Sequence, residues 1–519
     1  MTKRRSSTRS RRVALSTTAV AIAASLALVL SGCVTAFLPK TESLTSSPAP
    51  ENVSAALAPF YQQRLIWKSC GQTMQCTTAA APLDWSNPAE GKVSLALVRQ
   101  PATGKRLGSL LVNPGGPGAS GYDFVKDSVD FATDKTLQAS YDIVGFDPRG
   151  VGRSTAVKCY DPTEMTKYLY SITPGVRGSD SWIASNTAQA TSFANACRQN
   201  SGALLAHVDT VSAARDLDLL RAVLGDKKLN YLGYSYGTYL GTIYAELYPH
   251  NTGRLVLDGA LDPAVNNFDV TKVQSEGFES ALRAYLANCL DSKGCPFRGS
   301  VAQATKKIEA LLASVDKNPI RNSDGRKLGA DTLVTAIIYP LYDATAWPDL
   351  SELFTDVMKG SASFAFKLAD AYNGRLSDGS YQDNSAEAFT AINCLDYTFN
   401  ADPATMREQQ VELTKAAPVF GPYEGFGDIS CAVWPYKSTV VRGPVHAVGA
   451  APILVVGTTN DPATPYVWAK SLSKQLDSGH LVTYHGQGHT AYNKSNSCVN
   501  NAVDNFLVHG IVPKKDPNC

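Results

Sequence analysis

The stretch Leu229-Asn230-Tyr231-Leu232-Gly233-Tyr234-Ser235-Tyr236-Gly237 most constrains what this chain can fold into. An apolar run turns abruptly at a Gly-x-Ser-x-Gly and continues through Thr238-Tyr239-Leu240-Gly241-Thr242-Ile243-Tyr244-Ala245, which reads as a helix. Strand, sharp turn and helix make the sequence form of a nucleophile elbow, in which a strained turn presents a serine at its tip. Glycine is needed on both sides because the turn crowds the strand against the helix, where a Cβ would clash. The pentapeptide alone is weak, since a chain of this length shows one by chance about one time in five. Its weight depends on what the rest of the chain places around it.

Strand-like and helical segments alternate around the elbow. Residues 93–98, 108–112 and 141–146 read as strands before it, and residues 254–257, 451–457 and 481–484 as strands after it. Between them, residues 213–224 place Leu217, Leu220 and Leu224 on one helical face. Such alternation implies a mainly parallel sheet covered on both faces. Between Asp262 and about Pro444 the character changes: residues 270–290, 301–315, 332–342, 348–359 and 361–372 read as helices without strong strands. A helical insertion between two late strands is most simply a cap over the carboxyl ends of the strands, where open α/β sheets hold their ligands.

Activation of a serine hydroxyl needs a base, and the base needs an orienting acid. On this kind of sheet the chain order is Ser, then Asp or Glu, then His. Of the seven histidines, His480, His485 and His489 lie near the last strand. His489, in Gly486-Gln487-Gly488-His489-Thr490, occupies a glycine-rich loop just beyond it, whereas His485 sits on the strand and reads as structural. Asp461 follows Gly457-Thr458-Thr459-Asn460 at a strand tip, and the interval to His489 leaves room for one helix and one strand. Asp258, which ends the strand after the elbow, is its competitor. The oxyanion that develops on attack needs N–H donors. One is the backbone N–H of Tyr236, directly after the serine. The other comes from Pro114-Gly115-Gly116-Pro117-Gly118, where both prolines lack an N–H, and Gly116 is the favoured donor. Asp147-Pro148-Arg149-Gly150 after the preceding strand reads as a structural turn beside the site. The fold class is therefore α/β, an α/β-hydrolase fold with a helical cap between late strands. No metal or organic cofactor is implied.

The amino terminus points to export. Lys3, Arg4, Arg5, Arg9, Arg11 and Arg12 precede the uncharged apolar residues 13–30, and Leu30-Ser31-Gly32-Cys33 follows. A basic region, an apolar region and small residues define a signal peptide. A cysteine after Leu-Ser-Gly resembles a bacterial lipobox, in which that thiol is lipidated and becomes the mature terminus. The rival is an uncleaved membrane anchor. Ser10-Arg11-Arg12 also permits twin-arginine export. Residues 1–32 are thus read as the signal, 33–57 as the lipidated terminus and a flexible tether, 58–262 and 445–519 as the two parts of the core, and 263–444 as the cap. Setting Cys33 aside from the eleven cysteines leaves an even ten, which argues for disulfides. Sequence neighbours pair as Cys70–Cys76, Cys159–Cys197, Cys289–Cys295, Cys394–Cys431 and Cys498–Cys519. A metal site is disfavoured because no C-x-x-C or Cys/His cluster exists. Charge is balanced, 48 Lys+Arg against 46 Asp+Glu, and gives no sign of a nucleic-acid partner.

These residues together resemble the secreted actinobacterial α/β-hydrolases of the tripeptidyl aminopeptidase type, related to prolyl aminopeptidases. The likeness runs through Pro82-Leu83-Asp84-Trp85, Asn113-Pro114-Gly115-Gly116-Pro117-Gly118, Asp147 to Ser154, the elbow, Leu257-Asp258-Gly259-Ala260-Leu261-Asp262-Pro263, Ala391-Ile392-Asn393-Cys394-Leu395-Asp396 and Asp461-Pro462-Ala463-Thr464-Pro465. It implies catalytic roles for Ser235, Asp461 and His489 in a serine exopeptidase or protease that releases short peptides from free N-termini, and with the lipobox at Cys33 the expectation is a cell-surface lipoprotein of a Gram-positive bacterium. Pro114 departs from the pattern, since many prolyl aminopeptidases have His there. An aminopeptidase must also hold the substrate's ammonium group, and Asp396, Glu279 and Glu276 are the candidate cap carboxylates. A carboxylesterase or lipase would share every catalytic residue and differ only in the cap. A non-catalytic binding protein would have lost a member of the triad, and a dehalogenase or epoxide hydrolase would carry Asp where Ser235 stands.

Overall fold

The apolar runs of the sequence line up in one sheet. The computed structural model describes residues 44–519; residues 1–32, read above as an export signal, and Cys33 lie outside them. In chain order the strands are β1 (Leu44–Thr45), β2 (Ile66–Ser69), β3 (Gln75–Pro82), β4 (Lys92–Gln100), β5 (Gly108–Asn113), β6 (Tyr141–Phe146), β7 (Leu229–Tyr234), β8 (Thr252–Asp258), β9 (Ile320–Arg321), β10 (Lys327–Leu328), β11 (Ile453–Asn460) and β12 (Gly479–Gln487). β9 and β10 form a small hairpin in the cap. The rest make a ten-stranded sheet ordered β1-β2-β3-β4-β6-β5-β7-β8-β11-β12. Pairing is antiparallel from β1 to β6 and parallel from β6 to β12.

All six residues of β5 and all six of β6 are buried, the mark of a parallel sheet covered on both faces. The two-residue period of a strand sends neighbours to opposite cores. Leu110, Val112, Leu232 and Val256 enter one core, while Leu111, Tyr231, Leu255 and Leu257 enter the other. The β12 edge is covered by the chain's own end: Thr483 N–H donates to Pro517 at 2.9 Å and Cys519 N–H to Thr483 at 2.8 Å. The Cys498–Cys519 disulfide, spanning 21 residues, holds this tail. Closing a loop of that size contributes about 3 kcal/mol in a chain-entropy account. All five expected pairs are bonded, the others being Cys70–Cys76, Cys159–Cys197, Cys289–Cys295 and Cys394–Cys431.

The helices from Asn267 to Tyr372 carry a core of their own, in which Leu282, Leu333, Ile337, Phe354 and Phe366 are buried, whereas the helix Ser385–Asp396 packs Ala388, Ala391, Ile392 and Leu395 into a core of the sheet. Two differences from the sequence reading stand out. The insertion between β6 and β7 carries two further helices, Pro162–Tyr170 and Asp180–Ser201, and the second packs Trp182, Ile183 and Ala190 against Met406, Phe426 and Ile429 of the cap. The cap is therefore built from two stretches of chain. Residues 44–57 are also not a free tether. Ala49 N–H donates to Ala222 at 2.8 Å, and Glu51 meets the fully buried Arg221 side chain at 2.7 Å. Backbone hydrogen bonds and one ion pair tie down a segment whose composition alone suggests disorder.

Arg149 answers the expectation of a structural turn. Its side chain is fully buried, grips both oxygens of Asp216 at 2.7 Å, and donates to the carbonyls of Pro82, Leu83 and His207. It ties β3, the insertion and the helix Thr210–Val223 together behind the elbow.

Candidate active site

β7 ends at Tyr234 and the helix Tyr236–Leu247 begins two residues later, so Ser235 alone makes the turn. Its φ of 56° and ψ of −127° lie where side chains are strained. The turn is held by Ser235 N–H donating to the Asp258 carbonyl at 2.9 Å and Thr238 N–H donating to the Ser235 carbonyl at 2.8 Å. A Cβ on Gly233 would run into the Gly237 carbonyl, which explains the first glycine of the pentapeptide.

The loop after β5 lies directly against this turn. A Cβ on Gly115 (φ +101°) would sit 2.6 Å from the Tyr234 oxygen, 2.8 Å from the Ser235 Cβ and 3.0 Å from the Tyr236 nitrogen. The Gly115 N–H itself donates to the Asn113 side chain at 2.9 Å. Among the described residues, no protein acceptor takes the N–H of Gly116 or of Tyr236.

His489 lies beside the end of β8, whose Asp258 carbonyl holds the Ser235 N–H. A Cβ on Gly259, the residue after Asp258, would lie 3.2 Å from the His489 Cε1. His489 Nδ1 meets both Asp461 oxygens, at 2.9 and 3.0 Å. Asp461 is 3% exposed and also accepts from Ala463 N–H, Thr464 N–H, the Thr464 hydroxyl and Thr490 N–H. Burial pushes its carboxyl up, but the charge and hydrogen bond of His489 and the two backbone donors Thr464 and Thr490 outweigh it and hold it below the usual carboxylate range.

The competitor Asp258 does a different job. It accepts the N–H groups of Ala491 and Tyr492 and so anchors the loop carrying His489. Burial raises its carboxyl to about 6. His485 bonds Asn518 on the exposed edge, away from the elbow.

The cap closes on the same loops. His489 N–H donates to the Tyr342 carbonyl at 2.8 Å, and the two rings meet edge to face at 5.4 Å. The helix Asn267–Leu290 touches the Asp461 loop through Gln274, which donates to the Ala463 carbonyl at 2.7 Å.

The three expected cap carboxylates are not gathered at this site. Asp396 is 1% exposed and accepts from the Thr210 N–H at 2.9 Å and hydroxyl at 2.5 Å, and burial raises it to about 7. Glu279 is buried between Arg283 and the Val419 N–H. Glu276 points to solvent. Asp396 and Glu279 already serve donors of the protein, whereas Glu276 is exposed on the helix Asn267–Leu290.

Sequence reasoning passed over Glu424, at the end of the short helix Gly421–Glu424. It is part-buried and no hydrogen bond holds it among the described residues. Burial, then the charge of Asp331, raises it to about 7 against the pull of Arg177. Its charge reaches Tyr342 and Tyr372. The one signal in the sequence is a lone carboxylate within the aromatic and glycine-rich run Gly421-Pro422-Tyr423-Glu424-Gly425-Phe426-Gly427.

Comparison with known proteins places these features among relatives. A family model described as TAP-like protein matches residues 417–519, the part that carries Asp461 and His489. Serine protease Hip1 of Mycobacterium tuberculosis is 35% identical over 460 residues, 86% of this chain and 87% of its own. Carboxylesterase B of the same organism is 36% identical over 477 residues, 89% and 91% of the two chains. Tripeptidyl aminopeptidase of Streptomyces lividans is 31% identical over 470 residues, 87% and 86% of the two chains.

Proposed function

The chain belongs to the tripeptidyl aminopeptidase-type α/β-hydrolases, and from that premise we propose that it is a serine peptidase releasing tripeptides from free N-termini. The observation that carries the reading is the pair of His489–Asp461 contacts, 2.9 and 3.0 Å, set behind the strained Ser235 turn. With Nδ1 engaged by Asp461, the Nε2 of His489 is left to take the Ser235 proton. Ser235 Oγ attacks the peptide carbonyl, and the N–H groups of Gly116 and Tyr236 receive the oxyanion. His489 then protonates the departing amine, and water releases the acyl group by the reverse steps. Asp461 stays ionised throughout and stabilises the imidazolium.

Glu424 is assigned the substrate's ammonium group. Among the described residues no hydrogen bond or ion pair holds this cap carboxylate, and pairing with a cation offsets the cost of its burial. The ring spacings from His489 to Tyr342 and from Tyr342 to Tyr372, 5.4 and 6.4 Å, are on the scale of the ~10 Å that three extended residues span. The test compares a tripeptide anilide bearing a free N-terminus with its N-acetylated twin. The free form is expected to react far faster, and Glu424→Gln should raise its KM about 10–100-fold, the loss of one charge-assisted contact. Equal cleavage of the twins by the wild type contradicts the aminopeptidase reading; an unchanged KM in the variant contradicts the role of Glu424.

A carboxylesterase is the second reading, supported by the relative of that name, and it uses the same triad. Acyl esters turned over well while both peptide twins stay intact would establish it.

We further propose export and lipidation at Cys33. The five disulfides support an oxidising compartment. The mature protein extracted from membranes should begin at a diacylglyceryl-modified Cys33 by intact mass. A terminus retaining residues 1–32 contradicts it.

A further inference from the structure

The two proposed oxyanion donors come from distant parts of the chain, yet one helix touches the support of both. This is the helix Ser385–Asp396. Its first turn backs the donor loop: a Cβ on Gly118 would lie 2.8 Å from the Ser385 carbonyl oxygen and 3.0 Å from the Phe389 nitrogen. Its last residue, Asp396, accepts from the Thr210 hydroxyl at 2.5 Å, and that hydroxyl also pairs with the Tyr236 phenol. With Asp396 ionised, the Thr210 hydroxyl donates to it and the phenol donates to Thr210, so the chain runs Tyr236 to Thr210 to Asp396 in one direction. Tyr236 is the residue whose backbone N–H faces the elbow.

The helix is also fixed at both ends. Asn384, just before it, donates to the carbonyls of Gly150 and Val157 and accepts from Gly152 N–H. Glu387 accepts the N–H groups of Cys159 and Tyr160. Near its end, Cys394 is bonded to Cys431 of the cap. A buried carboxylate with oriented donors inside a low-dielectric interior holds its partners rigidly.

We propose that the helix Ser385–Asp396 sets the oxyanion hole, and that Asp396 is a positioning residue acting on Tyr236 through Thr210. The proposal rests on the assignment of Gly116 and Tyr236 as oxyanion donors. It also gives the buried Asp396 a task in place of substrate binding. Donors aimed at a developing charge lose much of their value when displaced by a fraction of an ångström, so the brace acts on the transition state and little on ground-state binding.

The test uses Asp396→Asn, Thr210→Val and Tyr236→Phe in the full chain. Each interrupts or reverses the hydrogen-bond chain while keeping the side-chain volume, and Tyr236→Phe deletes a single oxygen. All three should lower kcat about 10–100-fold with KM changed less than about threefold, a fraction of the effect of removing a donor outright. The rate of Ser235 labelling by a fluorophosphonate, whose phosphoryl oxygen enters the same hole, should fall by a similar factor. Tyr236→Phe keeps the proposal open to refutation if Asp396→Asn folds poorly. Labelling and kcat at the wild-type level in Tyr236→Phe and Thr210→Val overturn the brace, as does a loss confined to KM. Failure of the aminopeptidase reading shows instead as equal cleavage of free and acetylated peptides, an outcome that leaves the labelling comparison intact.

Discussion

Replacing Ser235 with alanine is expected to lower kcat by about 10⁶-fold with the fold unchanged. The size of the loss follows from the way the triad acts as one unit: without the nucleophile, His489 and the donor loop can only assist water. The fold survives because the serine side chain makes no hydrogen bond that holds the turn. The turn rests on the Ser235 N–H and carbonyl, which alanine retains. Substitution by glycine separates the two properties further. At φ 56° and ψ −127° a Cβ is strained by about 1–3 kcal/mol, so Ser235→Gly should be as inactive as alanine and yet melt higher than wild type. Matched measurements of kcat and Tm on both variants check this. A glycine variant less stable than wild type would show that the turn is not strained.

Asp461→Asn is expected to cost about 10⁴-fold in kcat, through loss of the imidazole tautomer that presents Nε2 to Ser235. Unlike Ser235→Ala, it should also destabilise the protein. The carboxylate serves the N–H groups of Ala463, Thr464 and Thr490 and the Thr464 hydroxyl in addition to His489. An amide has one acceptor oxygen, so at least one buried donor is left unpaired, at about 1–3 kcal/mol. The pH dependence has a definite sign. The Asp461 carboxyl is held below its ordinary value in the folded protein, so it contributes stability that is present above the unfolded pKa of about 4 and is lost as pH falls through the folded value. Acid denaturation of wild type should therefore steepen below about pH 4 relative to Asp461→Asn. Identical acid limbs for the two proteins would contradict that linkage.

Much of the site was legible in the sequence because its parts are local. A glycine on each side of Ser235, a glycine and proline loop after an early strand, and an aspartate at a strand tip are each dictated by a few neighbouring residues. The choice between Asp461 and Asp258 was harder, since both end strands. In the structure both carboxylates receive backbone N–H groups of the loop of residues 488–496, and Asp461 alone also receives the imidazole. The cap carboxylates were not legible. Whether Asp396, Glu279 or Glu424 is free depends on partners 186 and 140 residues away for the first two, and on the absence of one for the third. In the fold, β3 was missed because Gln75-Cys76-Thr77-Thr78-Ala79-Ala80-Ala81-Pro82 buries small side chains without a strong apolar alternation. The helix Asp180–Ser201 was missed because Ser, Thr, Asn and Gln fill its outer face and dilute its period.

The central claim is that Ser235, activated by His489 and Asp461, is the nucleophile of a hydrolase. Treatment of the full chain with a fluorophosphonate, followed by peptide mapping and residual activity, tests it most directly. The account predicts one adduct, on Ser235, appearing in proportion to the loss of activity and slowed strongly by Asp461→Asn. An adduct on any other residue, or turnover that persists with Ser235 fully modified, would contradict it.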